Sequence, residues 1–197
     1  HHDGSTVAGW PQNTETIISN EVSIADVDGD TDLEIFTSTY SPFNVYGFHH
    51  DGSLVTGWPC TLPDRGWYGP SLADLDGDNT SEIMTAVWVT PGEIYAFYND
   101  ASSFPGWPQS NPRSFSQLPS IGDIDGNDDL EIVCGSQESL KVWHHDGTLL
   151  WGRRISGSTM VKYSALCDLD FDGRLEIVGV SLNRLGVLDD NGATMPG

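Results

Sequence analysis

The chain has 197 residues, with 29 acidic against 8 basic side chains and a formal charge of −21 at pH 7. Nucleic acid and anionic membrane surfaces are excluded as electrostatic partners, because a surface this acidic is repelled by both. No apolar run is long enough for membrane insertion, and three cysteines do not make a disulfide framework.

In chain order, the first segment is His1-His2-Asp3-Gly4-Ser5 followed by Gly9-Trp10-Pro11. A short apolar run, residues 22–25, leads into the acidic loop Asp26-Val27-Asp28-Gly29-Asp30-Thr31-Asp32-Leu33-Glu34. Residues 33–37 are β-rich, residues 45–48 alternate as a strand does, Asp51-Gly52 signals a tight turn, and Gly57-Trp58-Pro59 follows. The order then recurs, with acidic loops starting at Asp74, Asp123 and Asp168, at spacings of 48, 49 and 45 residues. Strands are predicted after each loop over 82–89, 130–134 and 175–180, then over 93–98 and 140–143. Turns recur at Asp3-Gly4, Asp146-Gly147 and Asn191-Gly192, with Asp100-Ala101 the deviant copy, and Gly106-Trp107-Pro108 recurs as well. Each Gly-Trp-Pro is expected on an outer strand, where proline's missing N–H costs little.

Each acidic loop carries oxygen side chains at positions 1, 3, 5 and 9. These are Asp26, Asp28, Asp30 and Glu34; Asp74, Asp76, Asp78 and Glu82; Asp123, Asp125, Asn127 and Glu131; and Asp168, Asp170, Asp172 and Glu176. A chain curling there brings several carboxylates around one hard cation, and calcium, which takes six to eight oxygens at about 2.3–2.6 Å, is favoured. An EF-hand is excluded, because its bidentate acid at position 12 is replaced by Thr37, Thr85, Cys134 and Gly179. Eighteen of the 29 acids lie in the four loops, and four calcium ions would bring the charge from −21 to −13.

A period of 45–50 residues without helical pattern predicts an all-β fold of β-propeller blades, each of four antiparallel strands. The Asp-x-Asp-Gly-Asp loop, the Leu-Glu-Ile strand after it, the Tyr-Ala-Phe-like third strand and the Gly-Trp-Pro turn resemble the FG-GAP or VCBS-type calcium-binding repeats, related to integrin α-subunit blades. The resemblance implies calcium held by side chains at positions 1, 3, 5 and 9 and a carbonyl at 7, with up to four ions. Two departures are glutamate in place of the more usual aspartate at position 9, and Phe171 where the other loops have glycine. One propeller domain spans 1–197, with blades at about 13–60, 61–109, 110–154 and 155–197, and 1–12 as the last blade's outer strand. Residues 1–9 match 189–197, which suits a slice of a larger propeller; a closed four-blade ring is the alternative. An open slice would leave apolar blade faces for self-association.

No catalytic motif stands out, so recognition or adhesion with a protein or carbohydrate ligand is expected, at the cell surface or in secretion, where calcium is abundant. A lyase-like fragment of a secreted polysaccharide-degrading enzyme, a lectin and a passive spacer are the alternatives. His49-His50 and His144-His145 read as turn-flanking polar residues, because neighbours on a strand point to opposite faces and cannot share an ion. The Gly-Trp-Pro tryptophans read as wedges between blades rather than sugar platforms. Blade topology puts all four acidic loops at one end. The opposite end collects Tyr40, Phe43, Trp88 and Asn183, together with Arg65, Trp67, Tyr68, Arg113, Phe115, Lys162 and Tyr163. Of these, Arg65, Trp67, Tyr68, Trp88, Arg113, Lys162 and Tyr163 are the candidate ligand contacts, since exposed aromatic and arginine side chains are what binding hot spots use.

Overall fold

A computed structural model describes residues 2–18, 21–63, 67–137, 139–154, 163–181 and 184–195. They form fifteen strands in four antiparallel sheets, without a helix among the described residues. Blade one is β1 (Ser23–Ala25), β2 (Glu34–Ser38), β3 (Phe43–Phe48) and β4 (Cys60–Leu62). Blade two is β5 (Ser71–Ala73), β6 (Glu82–Val87), β7 (Gly92–Phe97) and β8 (Gln109–Asn111). Blade three is β9 (Ser120–Gly122), β10 (Glu131–Gly135), β11 (Ser139–His144) and β12 (Leu149–Arg154). Blade four has β13 (Tyr163–Cys167), β14 (Glu176–Ser181) and β15 (Arg184–Leu188), with a lone bridge between Leu188 and Thr194 on its outer side.

Each sheet is a meander whose neighbours in sequence are neighbours in space. The second strands are sandwiched between blades, so they are buried almost continuously instead of alternating: all of β6 and β10 is buried. Three apolar clusters fill the spaces between successive blades. Phe36, Val45 and Trp58 meet Ile83 and Phe97 in the first, Met84, Ile94 and Trp107 meet Ile132 and Trp143 in the second, and Leu140 and Val142 meet Ile177 and Leu166 in the third.

Inner strands touch in series, β1 with β5, β5 with β9 and β9 with β13, and no sheet closes the series among the described residues. Of the two expected arrangements, the open one is formed, and side-chain exposure follows from it. Val45, Ile94 and Leu140 occupy one repeat position and are at most 1% exposed, each covered by the next blade, whereas Leu185, at the same position in blade four, is 71% exposed. At the other end Ile24 is 58% exposed, while its counterparts Leu72, Ile121 and Leu166 pack against the preceding blade. Residues 2–12 form no strand, and β15 pairs on its inner side with β14 alone.

The Gly-Trp-Pro segments precede the outer strands instead of lying in them, since β4 starts at Cys60 and β8 at Gln109. They are latches between blades. The indole N–H of Trp10 donates to the His50 carbonyl (2.9 Å), Trp58 to Asn99 (2.7 Å), Trp107 to His145 (2.9 Å) and Trp151 to Asp190 (2.8 Å), in each case a carbonyl of the next tight turn. The glycine before the tryptophan presses on the same turn: a Cβ on Gly9, Gly57 or Gly106 would overlap the carbonyl oxygen of Asp51, Asp100 or Asp146. All three glycines also have φ between 81° and 90°, where L side chains are strained. Trp58 and Trp107 are therefore structural wedges, as expected, because at 4% and 7% exposure within the inter-blade clusters they leave no open ring face for a sugar to stack on.

Trp107 is 7% exposed and spans two blades, so Trp107→Ala should cost about 3–5 kcal/mol by transfer and cavity terms together. Trp10, only half-buried at the open end, should cost clearly less when cut to alanine. Urea denaturation of both variants measures this, and equal losses would contradict the latch.

Candidate metal centres

Each acidic loop is wound around its first carboxylate. Asp74 accepts backbone N–H bonds from Gly77 (2.8 Å), Asp78 (3.1 Å) and Asn79 (2.9 Å), and Asp123 does the same with Gly126, Asn127 and Asp128. Asp26 takes Gly29 and Thr31, and Asp168 takes Asp172 and Gly173. Such curvature needs left-handed residues at loop position 4, where Gly29, Gly77 and Gly126 have φ of 76–78°. Phe171 adopts the same conformation at φ 63° with its ring 89% exposed, so the fourth loop keeps the shape despite its departure in sequence. The position-5 side chain then accepts the N–H of position 7, as Asp30 does from Asp32 (2.8 Å) and Asn127 from Asp129 (2.7 Å).

The position-9 glutamates are buried at the start of each second strand, all at most 2% exposed. One oxygen accepts the backbone N–H of loop position 2: Glu34 from Val27 (3.1 Å), Glu82 from Leu75 (2.7 Å), Glu131 from Ile124 (2.9 Å) and Glu176 from Leu169 (2.7 Å). Burial pushes the Glu82 carboxyl up to about 7, with the charges of Asp76, Asp78 and Asp74 adding to the rise and the Leu75 N–H opposing it. Glu131 is also raised by burial, against the Ile124 N–H and His144.

The donor atoms that converge, all within 4.8 Å of one another in each set, come from positions 1, 3 and 5 in loops one and two, as Asp26, Asp28 and Asp30, and as Asp74, Asp76 and Asp78. In loop four they come from Asp168, Asp170 and Glu176. Loop three brings together Asp125, Glu131 and His144, and loop one has a second set of the same kind, Asp28, Glu34 and His49. Glu82, Asp123 and Asp172 stand outside these triples. The donor chemistry fits a divalent cation, since clustered carboxylates on a curled loop repel one another until an ion is held between them. One oxygen marks the fit in loop three: Asp125 Oδ1 is buried and has no hydrogen-bond partner.

The histidines were missed as members of these groups. His49 Nδ1 lies 3.2 Å from Glu34 Oε1 and 3.9 Å from Asp28 Oδ2, and His144 Nδ1 lies 3.1 Å from Glu131 Oε1. Adjacent histidines do point apart, as their alternation requires, and His50 goes to Asp32 at 3.3 Å. The signal was across the ladder instead: the antiparallel register places His144 directly opposite Glu131.

At the other end, Tyr40, Trp67 and Trp88 form a contiguous set of rings, with centroids 4.7 Å apart for Tyr40–Trp67 and 5.3 Å for Trp67–Trp88, both edge to face. Trp67 is 41% and Trp88 36% exposed. Tyr68 is half-buried, and burial pushes its phenol up to about 12. Arg113 and Tyr163 are exposed but are not part of the ring set. Phe43 and Phe115, grouped with this end by topology, are core residues buried between blades. Arg65, Lys162 and Asn183 lie outside the described residues.

The chain matches the FG-GAP-like repeat over residues 26–85 and 123–179. Among solved structures it is similar to the V. cholerae biofilm matrix protein Bap1, with a TM-score of 0.67, 19% identity, and 92% of this chain and 30% of that one covered. It is also similar to BBS1N, solved in complex with ARL6DN and soaked with lead, with a TM-score of 0.68, 13% identity, and 97% of this chain and 57% of that one covered. At these identities the likeness is one of fold, and the chain spans under a third of one neighbour and a little over half of the other. No curated protein matches it in sequence. With the repeat recognised over more than half of its length, and with the same loop-and-strand unit built four times, the chain belongs to the FG-GAP-like repeat family.

Proposed function

We propose that this domain is a calcium-stabilised, extracellular recognition module that binds a protein or carbohydrate ligand at the end opposite its acidic loops, without catalysis. The observation that carries the proposal is the separation of two chemistries: clustered carboxylates on curled loops at one end, and the Tyr40–Trp67–Trp88 ring set at the other. Carboxylates on a flexible loop suit calcium, and modest loop affinities of about 10⁻⁴–10⁻³ M fill where calcium is millimolar, outside cells. Exposed aromatic rings held on a rigid scaffold bind by burial of area at little entropic cost, which is the chemistry of recognition rather than of proton transfer.

Calcium should act through stability. At about 1 mM free ion and an affinity near 10⁻⁴ M, linkage contributes roughly 1.4 kcal/mol per loop. Chelation should lower the melting temperature by many degrees, magnesium should restore it poorly, and Asp76→Ala should remove about a quarter of the calcium effect if the loops are independent. A melting curve indifferent to excess chelator, with no calcium found by elemental analysis, would sink the metal reading.

The Glu82 carboxyl gives the pH dependence. Its folded value is raised from 4.5 to about 7, so in chelator its contribution to stability is fully present below about pH 4.5 and is lost as the pH rises through 7. Calcium favours the charged form, so uptake near pH 6 should release protons. Calorimetry in two buffers of different ionisation heat reads this release, and Glu82→Gln should reduce it.

For the ligand, Trp67→Ala combined with Trp88→Ala should weaken binding to a responsive member of a panel of immobilised polysaccharides and cell-surface proteins about thirtyfold, near 2 kcal/mol. The melting temperature should stay nearly constant. A large loss of stability with binding intact would place the rings in the core instead.

A further inference from the structure

We infer that blade three, and blade one with it, carries a mixed nitrogen–oxygen centre for a first-row transition-metal ion of zinc-like preference, formed by Asp125, Glu131 and His144 and by Asp28, Glu34 and His49. The inference rests on reading the acidic loops as metal centres, and goes beyond it by naming a second class of ion and the two blades that take it.

Three donors converge in each centre from three parts of the blade: the acidic loop, the start of the second strand, and the end of the third strand. In blade three His144 Nδ1 stands 3.1 Å from Glu131 Oε1, and in blade one His49 Nδ1 stands 3.2 Å from Glu34 Oε1 and 3.9 Å from Asp28 Oδ2. A tetrahedral ion with bonds of about 2.0–2.1 Å needs ligand atoms about 3.3–3.4 Å apart, so the carboxylate and imidazole, hydrogen-bonded to each other here, stand within a few tenths of an ångström of that separation. Asp28 Oδ2, 3.9 Å from the imidazole, has to close by about half an ångström to reach that separation.

The nitrogen decides the class of ion. Calcium takes oxygen ligands, whereas imidazole suits zinc, cobalt, nickel and copper. The second observation is the orphaned Asp125 Oδ1, a buried acceptor in the blade-three cluster that no protein group satisfies. Both glutamates are fully buried on their side chains while both imidazoles are about a quarter exposed, so the ion would be anchored from below and reached from solvent through the histidine side. Three protein donors leave a fourth position to water.

The same chain contains its own comparison. The repeat position of His49 and His144 is Tyr98 in blade two and Asp189 in blade four, and the donor sets of those blades contain carboxylates only. Blades one and three, the first and third in the arc, thus differ chemically from blades two and four.

The experiment is titration of the whole chain, stripped with chelator, with cobalt(II), whose visible absorption reports a four-coordinate site with a nitrogen ligand, alongside calorimetric titration with calcium. Two cobalt ions should bind per chain, displaced by zinc. His144→Gln and His49→Gln should each remove one, and the double variant should remove both while calcium uptake and the calcium-dependent rise in melting temperature persist. Tyr98→His, placing an imidazole over Glu82, should add a third and serves as a gain of site if a glutamine variant fails to fold. Cobalt spectra unaffected by the glutamine substitutions and by Tyr98→His, or calcium uptake without cobalt uptake, would overturn the mixed centre and leave the calcium reading standing. Uptake of neither ion would overturn both.

Discussion

A carboxylate buried at the foot of every second strand is the constraint from which the rest of the blade follows. Removing a charge from water is costly unless hydrogen bonds or an opposite charge replace the hydration. Each position-9 glutamate meets part of that demand with the backbone N–H of loop position 2, seven residues earlier, and so closes the acidic loop onto the strand. Closure places the apolar position-2 residues Val27, Leu75 and Ile124 in the core beneath the loop, so the polar and apolar sides of the turn are fixed together. In blades one, three and four the glutamate also gathers with carboxylates of its loop, Glu34 with Asp28, Glu131 with Asp125, and Glu176 with Asp168 and Asp170, so like charges crowd the turn. Such a cluster has the donor chemistry to hold a cation, and in blades one and three an imidazole stands beside the glutamate.

Blades so built cannot bury their faces alone. Their stability is of the nearest-neighbour kind, a sum of blade and interface contributions. Interfaces here are joined at three radii. Near the axis, serine hydroxyls at the start of inner strands donate to the next blade, Ser71 to Pro119 (2.7 Å) and Ser120 to Ser164 (3.0 Å). In the middle lie the apolar clusters, and at the rim the tryptophan latches reach the next tight turn. Acidic loops of neighbouring blades also touch, through the Ser81 N–H and the Asp26 carbonyl at 3.2 Å. The open ends expose what internal blades hide, which is why Ile24 and Leu185 face solvent although their repeat partners are buried.

The antiparallel meander assigns separate ends to separate chemistry. Turns between the first and second strands and between the third and fourth share one end, so the histidine after β3 and the last residue of β11 can reach the acidic loops. Loops between second and third strands and the connections between blades share the other, where Trp67 meets Trp88 across two elements. The acidic loops at one end and the ring set at the other are carried by the same sheets.

Much of this was legible in the sequence, because the information was local and repeated. The Asp-x-Asp-Gly-Asp loops, the tight turns and the strand runs depend on residues a few positions apart, and even Ala101, the deviant turn residue, is left-handed at φ 64°, as its glycine counterparts are at 80–84°. What only the tertiary structure decided were relations between residues far apart in the chain. Gly-Trp-Pro proved a latch rather than part of a strand, because the partner of each indole lies about forty residues on, in another blade. Phe43 and Phe115 fell into the core while Trp67 and Trp88 stayed at the surface, a difference set by which blade covers which face. His49 and His144 were set aside when compared with their sequence neighbours and joined the acidic centres when paired across strands. Local sequence specifies the shape of a turn through backbone sterics and short hydrogen bonds, but which side chains share a centre depends on strand register and blade stacking, which exist only once the chain has packed.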